Sequence, residues 1–487
     1  MSEVRTRFAP SPTGFLHVGS LRTALFAYLI AKKQNGKCIL RIEDTDQKRK
    51  VEGAEEKIIE ILDWLGLKFD EGSHIGGDFG PYVQSERQKI YDEYKEELLK
   101  KGGAYYCFCS EKRLEKLHAE HAEKKMPARY DRHCRDFSAE EVAEKIKRGE
   151  KYVVRQKMPL NGEIKVHDEL RGEIKFNAHE LEDQVLIKSD GMPTYHFASV
   201  VDDHLMEISH VLRGEEWIPS FPKNILLYKA FGWTAPKFIH MALTLNKDGG
   251  KLSKRQGDVT IEDFKKKGYL PETLINFSAL LGWHPKGDNE IFSLSELEKG
   301  FKIENMGVSP SVFDIEKLDY LNGYYIRHKS LDELVELCRP YLTENLKNTA
   351  EYKKEDKFIK NVLRTEHERL KMLSEVGELT KFFFDIEIKY APELLVWKKS
   401  TKEEVKNNLS VINELLQKIP EENWTTSSIE ELLIGHIKAK EEKVGPYLWP
   451  MRAALTGREA SPSPFEVAEV LGKKESSERI KKGIEML

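Results

Sequence analysis

Cysteine is scarce in this chain: five in 487 residues, an odd number, which argues against a disulfide scaffold as its source of stability. Long apolar runs are missing too. No window approaches the ~18 consecutive apolar residues that a membrane-crossing helix needs. The first residues mix acidic and basic side chains where a secretory signal needs an apolar core. The expected location is therefore the cytoplasm, with no membrane partner. An excess of one charge is also lacking. Lys plus Arg number 78 against 82 Asp plus Glu, a net charge of −4, which argues against indiscriminate nucleic-acid binding because that needs a strongly basic surface. Local basic patches are still allowed. There is no internal repeat and no low-complexity tract.

What the chain does have is length enough for about three or more domains, and an informative opening. Val4, Thr6 and Phe8 alternate with Arg5 and Arg7, which predicts a short strand. Pro10, Pro12 and Gly14 then stop it. After Gly19 the run from Ser20 to Ile30 carries apolar residues at helical spacing. A glycine-bearing loop feeding a helix start leaves backbone N–H groups pointing at the loop, a ready anion site for a nucleotide phosphate, and His17 is within reach of it. Lys37 to Glu43 reads as a second strand, and Glu52 to Leu65 as an amphipathic helix stopped by Gly66. Strand, helix, strand, helix predicts a doubly wound α/β domain.

From about Ala104 the pattern changes. Tyr105-Tyr106-Cys107-Phe108-Cys109 precedes a charged helical run, Glu111 to Lys125, and then Tyr130-Asp131-Arg132-His133-Cys134-Arg135-Asp136. Three thiolates need one more donor to close a structural zinc site; reduced buried cysteines are the alternative. Lys151 to Phe176 alternates and turns, predicting a small sheet, after which Asp183 to Lys188 should return to the main sheet. Tyr195 to His204 and Val211 to Trp217 both read as strand then helix. Leu243 to Leu245 reads as a strand leading into a basic loop, Lys251-Leu252-Ser253-Lys254-Arg255. From Glu262 onward the pattern is helical, including a long run over Lys357 to Val376.

His17-Val18-Gly19-Ser20 and Lys251 to Arg255 together resemble the HIGH and KMSKS signatures of class I aminoacyl-tRNA synthetases. Pro10-Ser11-Pro12-Thr13-Gly14, Arg41-Ile42-Glu43-Asp44-Thr45-Asp46 and Gly191-Met192-Pro193-Thr194-Tyr195-His196-Phe197-Ala198 narrow the resemblance to the glutamyl-tRNA synthetase family. Tyr447 to Gly457 with Ser461-Pro462 is similar to its bacterial type, which reads the anticodon with a helical domain. The resemblance spans essentially the whole chain. It implies a Rossmann-like (HUP) nucleotide-binding fold of α/β class with an inserted α+β acceptor-binding domain, followed by all-α C-terminal domains. The implied bounds are 1–104 and 187–245 for the two catalytic halves, 105–186 for the insertion, 246–325 for a stem-contact domain and 326–487 for the anticodon-binding region.

The same resemblance implies ligation of L-glutamate to tRNA(Glu), and also to tRNA(Gln) in non-discriminating members, with ATP and Mg²⁺, by a cytoplasmic monomer. Catalysis would fall to His17, Gly19, Lys251 and Lys254. ATP would meet Pro10, Thr13, Gly14, His17, Gly19, Ser253 and Lys254. Glutamate would meet Arg7, Ser11, Glu43, Tyr195, Ser199 and Arg213, whose guanidinium can take a carboxylate through paired hydrogen bonds that glutamine's amide does not reproduce. Zinc, where present, would be structural on Cys107, Cys109, Cys134 and a fourth ligand. The family usually has histidine two residues after the last cysteine; this chain has Asp136, leaving Asp136, Tyr130 or His133 as the alternatives.

Overall fold

The computed structural model describes residues 3–250, 260–347 and 349–487. They form two compact units, Met1–Phe264 with Pro271–Asp314, and Lys265–Leu270 with Ile315–Leu487.

In the first unit, β1 (Arg5–Phe8), α1 (Val18–Lys33), β2 (Lys37–Leu40), α2 (Ala54–Trp64) and β3 (Glu71–Gly72) make the expected alternation. The three strands are parallel in the order β1-β2-β3, with Arg5 opposite Lys37 and Phe8 opposite Leu40. All of β1 is buried, and so is α1 from Leu21 and Arg22 through Ala24 to Ala31. The tight return from α1 to β2 depends on Gly36, where a Cβ would lie 2.0 Å from the Val4 carbonyl oxygen.

After α3 (Gln88–Lys100) come β4 (Ala104–Cys107), α4 (Glu111–Glu123) and α5 (Ala139–Lys147). The chain continues through β5 (Val153–Gln156), β6 (Glu163–Asp168), β7 (Gly172–Asn177) and β8 (Val185–Ile187). The segment expected as one small sheet divides between two. β5 sits between β4 and β8, while β6 and β7 form a hairpin that joins β10 (Lys237–Met241) and β9 (His210–Gly214) in the order β7-β6-β10-β9. The turn at Asn161-Gly162 separates them, and Asp168 comes opposite Phe238. β8 likewise pairs with β5 rather than with the parallel strands.

Between β8 and β9 lies α6 (Tyr195–Leu205), entirely helical where a leading strand was expected. Its apolar residues Phe197, Ala198, Val200 and Val201 are buried, so packing of a helical face overrides the β-branched pair. α7 (Phe221–Phe231) connects β9 to β10, which are parallel and in register, Arg213 opposite His240. The Ser209 N–H donates to the Arg5 carbonyl at 2.9 Å, bringing the start of β9 beside β1. β11 (Thr244–Leu245), α8 (Ile261–Lys266), α9 (Pro271–Leu280), α10 (Leu294–Gly300) and β12 (Ser311–Val312) follow, β11 pairing with β12.

The second unit is helical from α11 (Ile315–Arg327) through α12 (Leu331–Cys338), α13 (Thr343–Lys347), α14 (Asp356–Glu366) and α15 (Glu375–Phe384). Then come α16 (Lys402–Gln417), α17 (Thr426–Ala439), α18 (Gly445–Thr456) and α19 (Pro464–Glu485). Ser330, Thr401 and Ser463 start their helices with reciprocal capping boxes. The single helix expected over Lys357 to Val376 breaks after Glu366. Its peptide groups there bond elsewhere: Asn322 Nδ2 donates to the Lys371 carbonyl at 2.6 Å, and the Leu373 N–H to the Gly268 carbonyl at 3.2 Å. Glu375 then caps the restart by accepting from the Lys371 and Met372 N–H groups.

Candidate active site

A cleft of about 950 Å³ opens where β1, β2 and β9 end and α1 begins. Ligand sites in open α/β sheets lie outside the carboxyl ends of the strands, and the cleft fits that rule. Arg7, Pro10, Ser11, His17, Gly19, Glu43, Tyr195 and Arg213 all line it.

Beneath the cleft lies a buried charge network. Arg7 Nε donates to Asp203 Oδ1 at 2.9 Å, and its Nη1 to the Leu212 carbonyl at 3.3 Å. Arg41, fully buried, places Nη1 2.8 Å from Asp203 and donates from Nη2 to Glu43 Oε1 at 2.9 Å. Against its own burial, Asp203 is held below the usual carboxylate range by Arg7 and Arg41. Burial pushes Glu43 up despite Arg41 and Arg7. Asp202, next in the helix, takes Arg87 Nε at 2.7 Å, Gln84 Nε2 at 2.8 Å and the Tyr91 hydroxyl at 2.8 Å. The floor of the cleft is thus rigid and charge-matched.

Arg213 is held differently. Its Nε donates to His240 Nε2 at 2.9 Å and its Nη1 to Asn224 Oδ1 at 3.1 Å, while Nη2 is buried without a hydrogen-bond partner among the described residues. Neither Glu215 nor Glu216 takes these bonds; Glu215 accepts from Arg171 Nη2 at 2.6 Å and from the Leu243 N–H at 2.9 Å. A buried guanidinium with an unused donor suits an incoming carboxylate. The Tyr195 ring packs at a tilt against Trp217, ring centroids 4.6 Å apart. Burial raises the Tyr195 hydroxyl above its ordinary pKa. Burial, with Arg213 beside it, lowers His196 to about 4 and keeps it neutral.

At the anion end, His17 is the residue before α1, and its Nδ1 accepts from the Gly19 N–H at 3.1 Å. Thr260 bridges His17, and the Ile261 N–H donates to the Leu16 carbonyl at 2.9 Å. Asn246 closes the turn ahead of the basic segment, accepting from the Gly250 N–H at 2.8 Å. Lys251, Ser253 and Lys254 lie outside the described residues. Thr13, Gly14 and Ser199 are not among the cleft-lining residues, and Ser199 is buried on α6.

Far from the cleft in sequence, the thiols of Cys107, Cys109 and Cys134 lie within 4.8 Å of one another. The Tyr130 hydroxyl sits among them, 3.2 Å from Cys107 and 3.6 Å from Cys109, and accepts from the Cys134 N–H at 3.1 Å. His133 and Asp136 contribute no atom to this group. Hydrogen bonding with Cys134, and after it with Tyr130, draws the Cys107 thiol below its ordinary value. Three sulfurs and a phenol oxygen suit zinc in the chemistry of their donors.

Residues 3–320 match the catalytic domain of class I tRNA synthetases (E and Q), and residues 333–484 match an anticodon binding domain. The chain belongs to the class I tRNA synthetases of the glutamate and glutamine type. It is 49% identical over 488 residues to the glutamate–tRNA ligase of Clostridium botulinum (strain Hall), covering 100% of this chain and 99% of that one. It is 48% identical over 490 residues to the corresponding ligase of Clostridium novyi, covering 100% and 98%. A crystal structure of a glutamate tRNA ligase from Elizabethkingia meningosepticum, in complex with its amino acid, superposes with a TM-score of 0.91 at 36% identity, both chains covered in full. Within the class, the chain falls among the glutamate–tRNA ligases.

Sequence reasoning assigned no role to Asp203, Trp217, Asn224 or His240. Asp202 and Asp203 did leave a signal, two acids in an otherwise apolar helical run. Arg22 is another such residue: buried on α1 and lining the cleft, it donates to the Ala242 and Leu281 carbonyls at 2.5 and 2.9 Å.

Proposed function

We propose that the cleft activates glutamate with ATP and passes it to the terminal adenosine of tRNA(Glu), with the residues in the following roles. Arg213 receives the side-chain carboxylate through its unpartnered Nη2; this buried, unused donor is the observation that carries the reading. Arg7, ion-paired with Asp203, lines the site next to it, Ser11 and Tyr195 complete the wall, and Glu43 faces the ammonium group. ATP lies along Pro10, His17, Gly19 and the start of α1, whose N–H groups and positive dipole end favour phosphate. Mg²⁺ bound with ATP would neutralise phosphate charge.

The α-carboxylate attacks the α-phosphorus, releasing pyrophosphate and forming the adenylate; a ribose hydroxyl of the tRNA then attacks the adenylate carbonyl and releases AMP. No covalent enzyme intermediate is needed. The residues supply positioning and stabilise developing phosphate charge, from His17 and the α1 start in the described part and from Lys251 and Lys254 beyond it. Residues 105–186 would grip the acceptor end, 246–325 the stem and 326–487 the anticodon of a tRNA bound by a monomeric, cytoplasmic enzyme. Cys107, Cys109 and Cys134, with Tyr130 as the nearest oxygen, would hold a structural zinc that cross-links the insertion.

The test is glutamate charging by the purified enzyme on matched glutamate and glutamine tRNAs. Charging of the glutamate tRNA is the expected result, and the second arm sets whether the enzyme discriminates. Pyrophosphate exchange should be silent without tRNA. Binding of tRNA with no charging of either would overturn the reading.

A further inference from the structure

Among the described residues no carboxylate holds the guanidinium of Arg213, although a carboxylate is the usual partner for a buried arginine. Its Nε donates instead to an imidazole, His240 Nε2, at 2.9 Å. His240 is fully buried on β10, and its other nitrogen lies 2.7 Å from Asp168 Oδ2. Asp168 is fully buried as well, at the end of β6, and also accepts from the His240 N–H at 2.9 Å and the Leu170 and Arg171 N–H groups at 3.0 Å. A chain of three hydrogen-bonded side chains thus runs from the end of β6 to the cleft.

The protons in that line are dictated by chemistry. Arginine has no acceptor and stays protonated in proteins, so Arg213 Nε is a donor. His240 Nε2 must therefore accept, which leaves its proton on Nδ1, donated to Asp168. The imidazole in this state is neutral. A second proton on Nε2 would set donor against donor at Arg213 and put two like charges side by side. We propose that His240 is the positioning residue of the glutamate site: as the Nδ1–H tautomer fixed by Asp168, it orients Arg213 so that Nη2 faces the substrate carboxylate.

Such an arrangement fits the job better than a direct Asp–Arg pair. A carboxylate against Arg213 would neutralise it and compete with the substrate's own carboxylate, whereas a neutral acceptor fixes the geometry and leaves the full positive charge for the ligand. The contrast with Arg7 is direct, since Asp203 neutralises that guanidinium. Facing His240 are Asp168 from β6, Arg171 from the β6–β7 turn and Arg213 from β9. The Phe221 ring on α7 and the Phe238 ring on β10 lie beside it, centroids 4.7 and 6.1 Å away. Burial, with Arg213 and Arg171 beside it, lowers His240 below its ordinary value against the pull of Asp168. It is neutral in the working range and becomes protonated only in acid.

The proposal rests on the reading of Arg213 as the carboxylate-binding group. The full-length enzyme, His240→Phe and His240→Gln are compared in tRNA-dependent charging from pH 5.5 to 8.5, with KM for glutamate and for ATP measured separately. His240→Phe removes the acceptor and should raise the glutamate KM ten- to a hundredfold with the ATP KM within twofold. His240→Gln, which can accept from Arg213 and donate to Asp168, should recover most of that loss and should lack the rise in glutamate KM expected of the wild type in acid as His240 becomes protonated. Equal effects on both KM values, a loss of kcat alone, or a wild-type acid rise that persists in His240→Gln would overturn the proposal. Imidazole ¹⁵N shifts of the histidine-labelled enzyme, assigned by difference against His240→Gln, give a readout independent of activity. An Nδ1–H tautomer is expected for His240, and an Nε2–H tautomer or an imidazolium at pH 7.5 would overturn the proposal. A wild type that shows this tautomer but charges no glutamate would sink the functional reading and not the positioning of Arg213.

Discussion

His17 caps α1 through Nδ1, accepting the Gly19 N–H at 3.1 Å. In the neutral ring this puts the proton on Nε2. On the proposed reading, one side chain thus serves both the helix start and the ATP phosphates.

The two jobs can be separated by substitution. His17→Asn keeps a capping oxygen and should leave urea stability near wild type while lowering charging kcat about 10²–10³-fold, the usual loss for a positioned donor. His17→Ala should lose the same activity and about 1 kcal/mol of stability besides. Full kcat in His17→Asn would reduce the imidazole to a cap.

Asp203 joins Arg7 to Arg41, and Asp203→Asn leaves two buried guanidiniums without the charge between them. A loss of about 3–5 kcal/mol in chemical denaturation is expected. The wild-type contribution has a definite pH sense, because Asp203 is depressed below its unfolded value. It is complete above the unfolded carboxylate pKa of about 4 and fades as pH falls through the native value. Wild type should therefore lose more of its denaturation midpoint on acidification than Asp203→Asn does.

The cysteine cluster predicts about one zinc per chain by elemental analysis, given four donors at a tetrahedral site. Cys134→Ser should abolish the metal and Tyr130→Phe should lower its affinity about 10–100-fold. Retention of full affinity in Tyr130→Phe, with loss in Asp136→Asn, would move the fourth ligand to Asp136.

In the helical unit, burial raises Glu366 to about 7 although Arg369 Nη1 is 3.2 Å away. A carboxyl raised in this way favours the fold below its unfolded pKa and loses that contribution as pH climbs toward 7. Glu366→Gln should flatten the decline. Its melting temperature should exceed wild type by about 2–4 °C at pH 8 and match it near pH 5; an unchanged pH profile would count against a buried, protonated Glu366.

The opening strand, loop and helix were legible because their periodicity is local and their punctuation is Pro and Gly. Arg213 could be singled out from its motif context as well. What it bonds to could not be read in the same way. His240 sits 27 residues away and Asp203 sits 196 residues from Arg7, so those pairings depend on strand order and not on any spacing. The same limit explains the helix expected through Val376. Its apolar period continues past Glu366, but Leu373 and Lys371 give their backbone groups to Gly268 and Asn322, partners that the local pattern does not contain. Likewise Lys151 to Phe176 shows turns without showing that β5 and β6 enter different sheets.

α1 is enclosed on nearly every side, yet its first turn opens the cleft. The helix proposed to offer its amide dipoles to the nucleotide is therefore also one of the most buried elements of the first unit. On the proposed reading, a chain that has folded has its phosphate seat already built, and substitutions along the helix, at Leu21, Phe26 or Leu29, would reduce the amount of enzyme rather than the quality of its chemistry. For this protein, abundance and specific activity should report on different stretches of the same sixteen-residue helix.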